Sequence, residues 1–367
     1  MTQVLCVVGA RPNFMKIAPV MAALREAGLR AKLLHTGQHY DEAMNDRFFQ
    51  DLGIAAPDFH LEVGSASHAV QTAEVMKRFE PIVESEAPRS VLVVGDVNST
   101  IACALVATKL GVPVIHVEAG LRSYDRVMPE EVNRVLTDQI SDLLFTTERT
   151  ALDNLKKEGI AESRVHFVGN VMIDTLHRNL ARAVVPTKTL DGHSGPYAIL
   201  TLHRPSNVDD RQVLEKLLRT VADINHHIPI VFPLHPRTRA RIDSFGLGGL
   251  IKNLKLMPPL GYLEMLGLMQ GAKFVMTDSG GIQEETTALG VPCLTLRENT
   301  ERPITINEGT NTLIGTDMDK LRREVDEIFS TGGKTGRVPE YWDGKAAVRI
   351  ADVIGQWLLG GQEARVA

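Results

Sequence analysis

The sequence predicts an α/β protein built of two open α/β domains in series, and three observations carry that prediction. Short apolar runs of strand length alternate with helical patterns through about the first 170 residues. The alternation lapses near residue 183 and then restarts. The length of 367 residues also suits two domains of roughly 100 to 200 residues, each able to bury its own core. Strands that alternate with helices argue for mostly parallel sheets covered on both faces.

In the first half the strand-like runs are Val4 to Val8, Ala31 to His35, Val91 to Val94, Val112 to Val117, Asp142 to Thr146 and Val165 to Val168. Helical patterns between them cover Phe14 to Ala27, Ala69 to Glu84 and Ser99 to Leu110. Residues 183–196 hold two prolines, two glycines and no sustained periodicity, as a linker would. Strand-like runs resume at Tyr197 to Thr201, Ile228 to Phe232, Leu254 to Met257, Lys273 to Thr277 and Val291 to Leu296, with helical patterns over Asp210 to Asn225 and Tyr262 to Gln270. A last helical pattern, Lys345 to Leu359, follows the Gly- and Pro-containing stretch Gly332 to Pro339. The expected domains are therefore residues 1–182 and 197–344, with the final helix crossing back onto the first.

Composition removes several classes of function. Lys plus Arg number 40 against 45 Asp plus Glu, a net charge of −5 with both signs interspersed, so no basic face is offered to a nucleic acid. Cys6, Cys103 and Cys293 are an odd set without CxxC spacing, which predicts neither a disulfide framework nor a zinc site and fits a reducing cytoplasm. The spacing of the histidines matches no metal motif. The first residues lack a basic, long-apolar, small-residue leader pattern, and no apolar stretch approaches the ~20 residues of a membrane helix. The expectation is a cytoplasmic protein with neither membrane nor nucleic-acid partner and no metal.

Ligands of open α/β sheets bind beyond the carboxyl ends of the strands, so the polar residues after each apolar run carry the functional reading. The first domain supplies Gly9-Ala10-Arg11-Pro12 with Lys16, then Gly95-Asp96, then Glu118-Ala119-Gly120-Leu121-Arg122. Neither GxGxxG nor GxxxxGK[ST] is present, which disfavours a nicotinamide or flavin cofactor and a P-loop. Arg11 and Lys16 are candidate cations for a diphosphate, although a solvated helix face is the plainer reading of Lys16. The second domain supplies His203-Arg204, His235-Pro236-Arg237 and Asp278-Ser279-Gly280-Gly281. The Ser279-Gly280-Gly281 turn enters a helix and can serve as an anion site or merely as a cap. Glu285, one turn further on, is placed to accept from ribose hydroxyls or simply to complement the helix end. Asp96, Glu118 and Glu130 together with His203 suggest proton transfer, since burial and neighbours tune such groups towards neutral pH. His116, inside an apolar strand, reads as a satisfied core residue.

Together with Thr36-Gly37-Gln38-His39, Pro129-Glu130-Glu131-Val132-Asn133-Arg134 and Glu301-Arg302-Pro303, these motifs resemble the non-hydrolysing UDP-N-acetylglucosamine 2-epimerases over nearly the whole chain. The resemblance implies two Rossmann-like domains of the GT-B type with the active site in the interdomain cleft, a homodimer, and no cofactor. It implies reversible interconversion of UDP-GlcNAc and UDP-ManNAc through elimination of UDP to a 2-acetamidoglucal and re-addition, supplying ManNAc-type sugars for cell-surface polysaccharide. By the resemblance, the acid/base residues fall on Asp96, Glu118, Glu130 and His203. The nucleotide and phosphate contacts fall on Arg11, Lys16, Ser279, Gly280, Gly281, Glu285 and Arg302, with Leu260 and Met265 flanking the uracil. Gln38, His39, Arg134 and His235 are further contacts.

The chain departs from the pattern in one region. Many bacterial members carry Gln-His-Arg-Glu where this chain has Gln38-His39-Tyr40-Asp41, and Pro205-Ser206-Asn207 replaces the common Arg-Glu-Asn. The first of these segments belongs to the region where substrate activates some members allosterically, so that property is not carried over. Alternatives are a hydrolysing 2-epimerase, a 2-epimerase of a modified UDP-HexNAc, a GT-B glycosyltransferase, and a nucleotide-sugar sensor without catalysis. Glu118-Ala119-Gly120-Leu121-Arg122 favours the simple GlcNAc branch.

Overall fold

A computed structural model describes residues 2–38 and 51–366. The chain forms two compact units, Met1–Arg178 with Glu340–Ala367, and Asn179–Pro339. The first unit contains β1 (Val4–Val8), α1 (Arg11–Glu26), β2 (Ala31–His35), β3 (Phe59–His60), α2 (His68–Glu86), β4 (Ser90–Val94), α3 (Asn98–Lys109) and β5 (Val114–Ala119). It continues through α4 (Pro129–Ile140), β6 (Leu143–Thr146), α5 (Arg149–Lys157), β7 (Val165–Phe167) and α6 (Val171–Asn179). The strands make one parallel sheet in the order β3-β2-β1-β4-β5-β6-β7.

Every residue of β1 and β4 is buried, as expected for central parallel strands covered on both faces. Alternate residues of β1 divide between two cores. Val4, Cys6 and Val8 pack with Phe14, Ile17, Val20 and Leu24 of α1, while Leu5 and Val7 join Val75, Phe79 and Val83 of α2. The three- and four-residue spacing of the α1 set makes one apolar stripe, and Pro12 stands at the helix start, where its missing N–H costs nothing. Ser67 caps α2 by accepting from the Val70 N–H.

The second unit contains α7 (Pro186–Thr189), β8 (Ala198–Thr201), α8 (Pro205–Val208), α9 (Arg211–Ile224), β9 (Ile230–Pro233), α10 (Pro236–Ser244), α11 (Gly248–Ile251) and β10 (Lys255–Met257). There follow α12 (Tyr262–Gly271), β11 (Val275–Thr277), α13 (Gly280–Leu289), β12 (Cys293–Thr295), α14 (Pro303–Asn307), β13 (Asn311–Leu313) and α15 (Met318–Thr331). Its parallel sheet runs β10-β9-β8-β11-β12-β13. In both sheets the strand order reverses beside the unit's first strand, between β1 and β4 and between β8 and β11. Those reversals open the crevices in which ligands of such sheets bind.

The structure departs from the sequence reading in four places. β3 and β13 were not anticipated, because two or three residues containing His60 or Asn311 make no apolar run. β5 extends to Ala119, so Glu118 lies within the strand instead of beyond it. Residues 183–196, expected as a linker, carry α7 and are tied to the second unit. The Val184 N–H donates to the Leu263 carbonyl at 3.0 Å, and a side chain at Gly267 of α12 would strike the Val184 carbonyl. The chain re-enters the first unit at Glu340, where Trp342 is buried and donates to the Thr147 carbonyl at 3.2 Å. The final helix, α16 (Ala346–Val366), adds Ala346, Ala347, Ile350, Ala351, Ile354 and Leu358 to the core that holds the α1 stripe. No helix among the described residues is long and apolar enough to cross a membrane.

Candidate active site

In the first unit the loops after β1, β4 and β5 bring together a network of charges. Asn13 shapes the first loop: its Oδ1 accepts from the Gly9 and Ala10 N–H groups at 3.1 and 3.0 Å, and its Nδ2 donates to the Val94 carbonyl. One turn along α1, Lys16 is buried and its Nζ lies 2.7 Å from Glu118 Oε1. Glu118 has a φ of 74°, in the left-handed region, where the β5–β6 register shifts. A non-glycine residue held there costs on the order of 1–3 kcal/mol, and such strain clusters at functional sites. Asp96, after β4, accepts from Arg134 Nη2 at 2.5 Å and Nε at 3.1 Å. Arg134 in turn pairs through Nη1 with Glu131 at 2.7 Å. The Glu131 carboxylate also accepts from Ser123 N–H and Oγ and from Tyr124 N–H, so it fixes the loop after β5 as well as the guanidinium facing Asp96. Glu130 stands half-buried in the first turn of α4.

Gln38 Oε1 accepts from Ser99 N–H and Oγ at the start of α3, so it ties the loop after β2 to that helix. His39, Tyr40, Asp41 and the side chain of Arg11 lie outside the described residues. Asp96, Glu118 and Lys16 thus share one crevice with Arg134, which the sequence reading had only among its further contacts. Lys16 is not on a solvated face: its charge meets Glu118, 102 residues away in sequence.

In the second unit His203 follows β8 and Asp278 follows β11, the two strands flanking the reversal. Asp278 is fully buried, and its carboxylate accepts from the backbone N–H of His203 and of Arg204 and from Asn207 Nδ2, with His203 Nδ1 at 2.8 Å. Burial pushes its pKa up, but the bonds from the His203 ring and the two N–H groups outweigh that and hold it below the usual carboxylate value. An ionised Asp278 only accepts, so Nδ1 carries the hydrogen and Nε2 is left as the atom that takes or gives a proton. His235 caps α10 through Nδ1, which accepts from Arg237 N–H, and its ring centroid lies 5.9 Å from that of His203.

Next to this pair is an anion-attracting cluster. Ser279 forms the N-cap of α13 without using its side chain, leaving the first N–H groups of the helix to other partners. Gly280 is needed for the approach of protein, since a Cβ there would lie 2.7 Å from Arg302 Nη1. Arg302 is buried and pairs with Glu301 at 2.6 Å and Glu284 at 2.9 Å, and Glu301 also meets Arg297 at 2.7 Å and Arg204 at 3.8 Å. Arg204, Arg297 and Arg302 gather with Glu284 and Glu301 at the helix start, whose open N–H groups add the partial positive charge that favours an anion.

Glu285 is buried further along α13 and accepts from the Tyr262 hydroxyl at 2.9 Å. Burial pushes its pKa from 4.5 up to about 8, with the Tyr262 bond opposing the shift and Glu284 adding to it. Burial, helped by the Glu285 charge, likewise pushes the Tyr262 hydroxyl up. Leu260 and Met265 flank Tyr262 at the start of α12. Because folded Glu285 keeps a proton that the unfolded chain has lost, stability falls as pH rises from 4.5 to about 8. Glu285→Gln is therefore expected to stabilise the nucleotide-free protein by on the order of a few kcal/mol at pH values above that window and by little near its acid end. Urea unfolding at both ends checks this; an equal gain at the two pH values contradicts it.

The sequence reading missed the residues that hold the candidate site side chains. Asp278 was quoted only as part of a motif, Glu131 only as half of an acidic pair, Glu284 only as a complement to the helix end, and Tyr262 and Glu301 had no role. Among the described residues no group of three His, Cys, Asp or Glu side chains could hold a metal ion.

Comparisons with known proteins converge. The model of the UDP-N-acetylglucosamine 2-epimerase family matches residues 22–355. The UDP-N-acetylglucosamine 2-epimerase of Methanocaldococcus jannaschii is 40% identical over 361 residues, covering 95% of this chain and 97% of the relative. The crystal structure of that organism's UDP-GlcNAc 2-epimerase with UDP-GlcNAc and UDP is similar with a TM-score of 0.90 and 38% identity, covering 97% of this chain and all of that one. The UDP-2,3-diacetamido-2,3-dideoxy-D-glucuronate 2-epimerase of Pseudomonas aeruginosa is also 40% identical, over 96% of this chain and 99% of the relative. The two parallel α/β units are of the GT-B kind seen in these structures. Matched along nearly its whole length, the chain belongs to the UDP-N-acetylglucosamine 2-epimerase family and is an isomerase.

Proposed function

We propose that the chain interconverts UDP-GlcNAc and UDP-ManNAc. The observation that carries this reading is that a carboxylate-held imidazole, His203 on Asp278, adjoins the anion-attracting start of α13. A proton carrier and a diphosphate cradle in one crevice suit a reaction that moves a proton and expels a nucleotide. In the forward step the C2–H bond breaks and the proton passes to a base. The C1–O bond breaks with its electron pair leaving on UDP, and a C1=C2 double bond forms. In the return step a proton reaches C2 on the opposite face while a UDP oxygen rebonds to C1.

The C2 proton of an acetamido sugar is weakly acidic, so stabilising the leaving diphosphate contributes as much as the base does. The guanidinium groups around Arg302 and the α13 N–H groups supply that stabilisation. In the first unit Lys16 pairs with Glu118, and Arg134 with Asp96 and Glu131. We assign proton transfer to Asp96, Glu118, Glu130 and His203, diphosphate contacts to Arg11, Lys16, Ser279, Gly280, Gly281 and Arg302, ribose to Glu285, and uracil to Leu260 and Met265.

Incubation with UDP-GlcNAc in D2O, followed by NMR, tests the reading. Deuterium should enter C2 of both epimers; UDP release without C2 exchange would reject it. The Pseudomonas aeruginosa relative favours a second reading, in which the sugar carries a 3-acetamido group and a carboxylate. Exchange with that UDP-sugar and none with UDP-GlcNAc would establish it.

A further inference from the structure

His116 lies in β5, completely buried, and both of its ring nitrogens meet acceptors. Nε2 is 2.8 Å from the Gly95 carbonyl, and Nδ1 is 2.7 Å from Asp138 Oδ1 on α4. A carbonyl only accepts, so Nε2 carries a hydrogen. Asp138 accepts on its other oxygen from Gly120 N–H at 3.0 Å and from Arg122 Nη2 at 2.7 Å, which holds it ionised. An ionised Asp138 also only accepts, so Nδ1 carries a hydrogen as well. A ring that donates from both nitrogens is an imidazolium. Its charge is balanced locally: Arg122 donates from Nε and Nη2 to Glu158 at 2.7 and 2.5 Å and from Nη1 to the Leu121 carbonyl at 2.6 Å, so two cations and two anions alternate along one chain. The charged groups around the ring are therefore Asp138 from α4, Arg122 after β5 and Glu158 after α5. On the β4 side the neighbours are the Gly95 carbonyl and Lys16, whose Nζ would lie 3.1 Å from a Cβ at Gly95.

What this chain of charges grips is the backbone under the two site carboxylates. The Gly95 carbonyl belongs to the peptide that enters Asp96. The Gly120 N–H lies two residues past Glu118, whose left-handed φ needs an external hold. We infer that His116 is a positioning residue, donating from both ring nitrogens, which fixes the peptides carrying Asp96 and Glu118. Its effect on turnover rests on the function proposed above; its protonation does not.

The test has two arms. In the first, the ring nitrogens of His116 in the unaltered protein, carrying 15N-labelled histidine, are read by NMR at neutral pH. Both should carry a hydrogen; one bare ring nitrogen overturns the assignment. In the second arm, His116→Asn and Asp138→Asn should lower kcat and C2 deuterium exchange together by about 100-fold, the scale of a misplacement near 1 Å. UDP affinity by calorimetry should be unchanged. For His116→Asn the acid limb of the kcat profile should move to higher pH, because removing a buried cation makes the nearby carboxylates easier to protonate. A folded variant with wild-type turnover, or one that loses only UDP affinity, overturns the positioning role. The spectrum of the unaltered protein stands whether or not a variant folds, and it separates failure of this assignment from failure of the proposed activity.

Discussion

Asp278→Asn is expected to lower kcat for epimerisation on the order of ten-thousandfold, the scale seen when a buried carboxylate behind a catalytic imidazole becomes an amide. A carboxylate accepts only, so it holds the hydrogen on His203 Nδ1. An asparagine amide can present its NH2 group to Nδ1 and drive the hydrogen to Nε2, the atom that faces the reaction. The change also weakens the bonds from the N–H groups of His203 and Arg204, so a stability loss of about 1–3 kcal/mol should accompany it. Initial rates measured by NMR under saturating UDP-GlcNAc, with folding verified by circular dichroism, decide the matter. A kcat within tenfold of the unaltered enzyme would show that Asp278 does not set the tautomer.

Glu118→Gln should be the most damaging single change in the first unit. It leaves Lys16 buried beside a neutral amide, and breaking one side of a buried ion pair costs about 3–5 kcal/mol. Loss of C2 exchange should follow if Glu118 carries protons. The double substitution Lys16→Met with Glu118→Gln separates the two effects: it should recover most of the stability, because no orphan charge remains, and none of the exchange. Urea unfolding and deuterium incorporation read the two quantities independently. A Glu118→Gln protein as stable as the unaltered one would mean that Lys16 finds another partner.

The alternation of apolar runs located β1 and β2 residue for residue, and the central strands of both sheets to within a few positions, because strands buried on both faces leave a plain trace. What escaped was set by contacts distant in sequence. Lys16 sits between Met15 and Ile17 in a helix whose neighbours are apolar, and nothing local distinguishes a solvated lysine from one buried against Glu118. The readings that used strand ends picked out Asp96, Lys16 and Glu118 in the first half of the chain and His203 and Ser279 in the second. They could not show which charges are already neutralised. Arg302 reads as a free cation for phosphate, yet Glu284 and Glu301 hold it in a cluster that includes Arg204 and Arg297. His116 reads as inert because it is buried among apolar residues; only the position of Asp138 reveals that both of its nitrogens donate.

The return of α16 to the first unit imposes an order on biosynthesis. Residues 179–339 are contiguous, so that unit can fold as soon as it has left the ribosome. The first unit, although translated earlier, keeps an open seam along Phe14, Ile17 and Val20 until Ala347, Ile350, Ala351 and Ile354 arrive to fill it. The sheet that carries His203 and Asp278 is thus complete before the sheet that carries Asp96 and Glu118 has its full core. A nascent chain that stops short of α16 presents an apolar seam to chaperones and proteases, and only the finished polypeptide closes it.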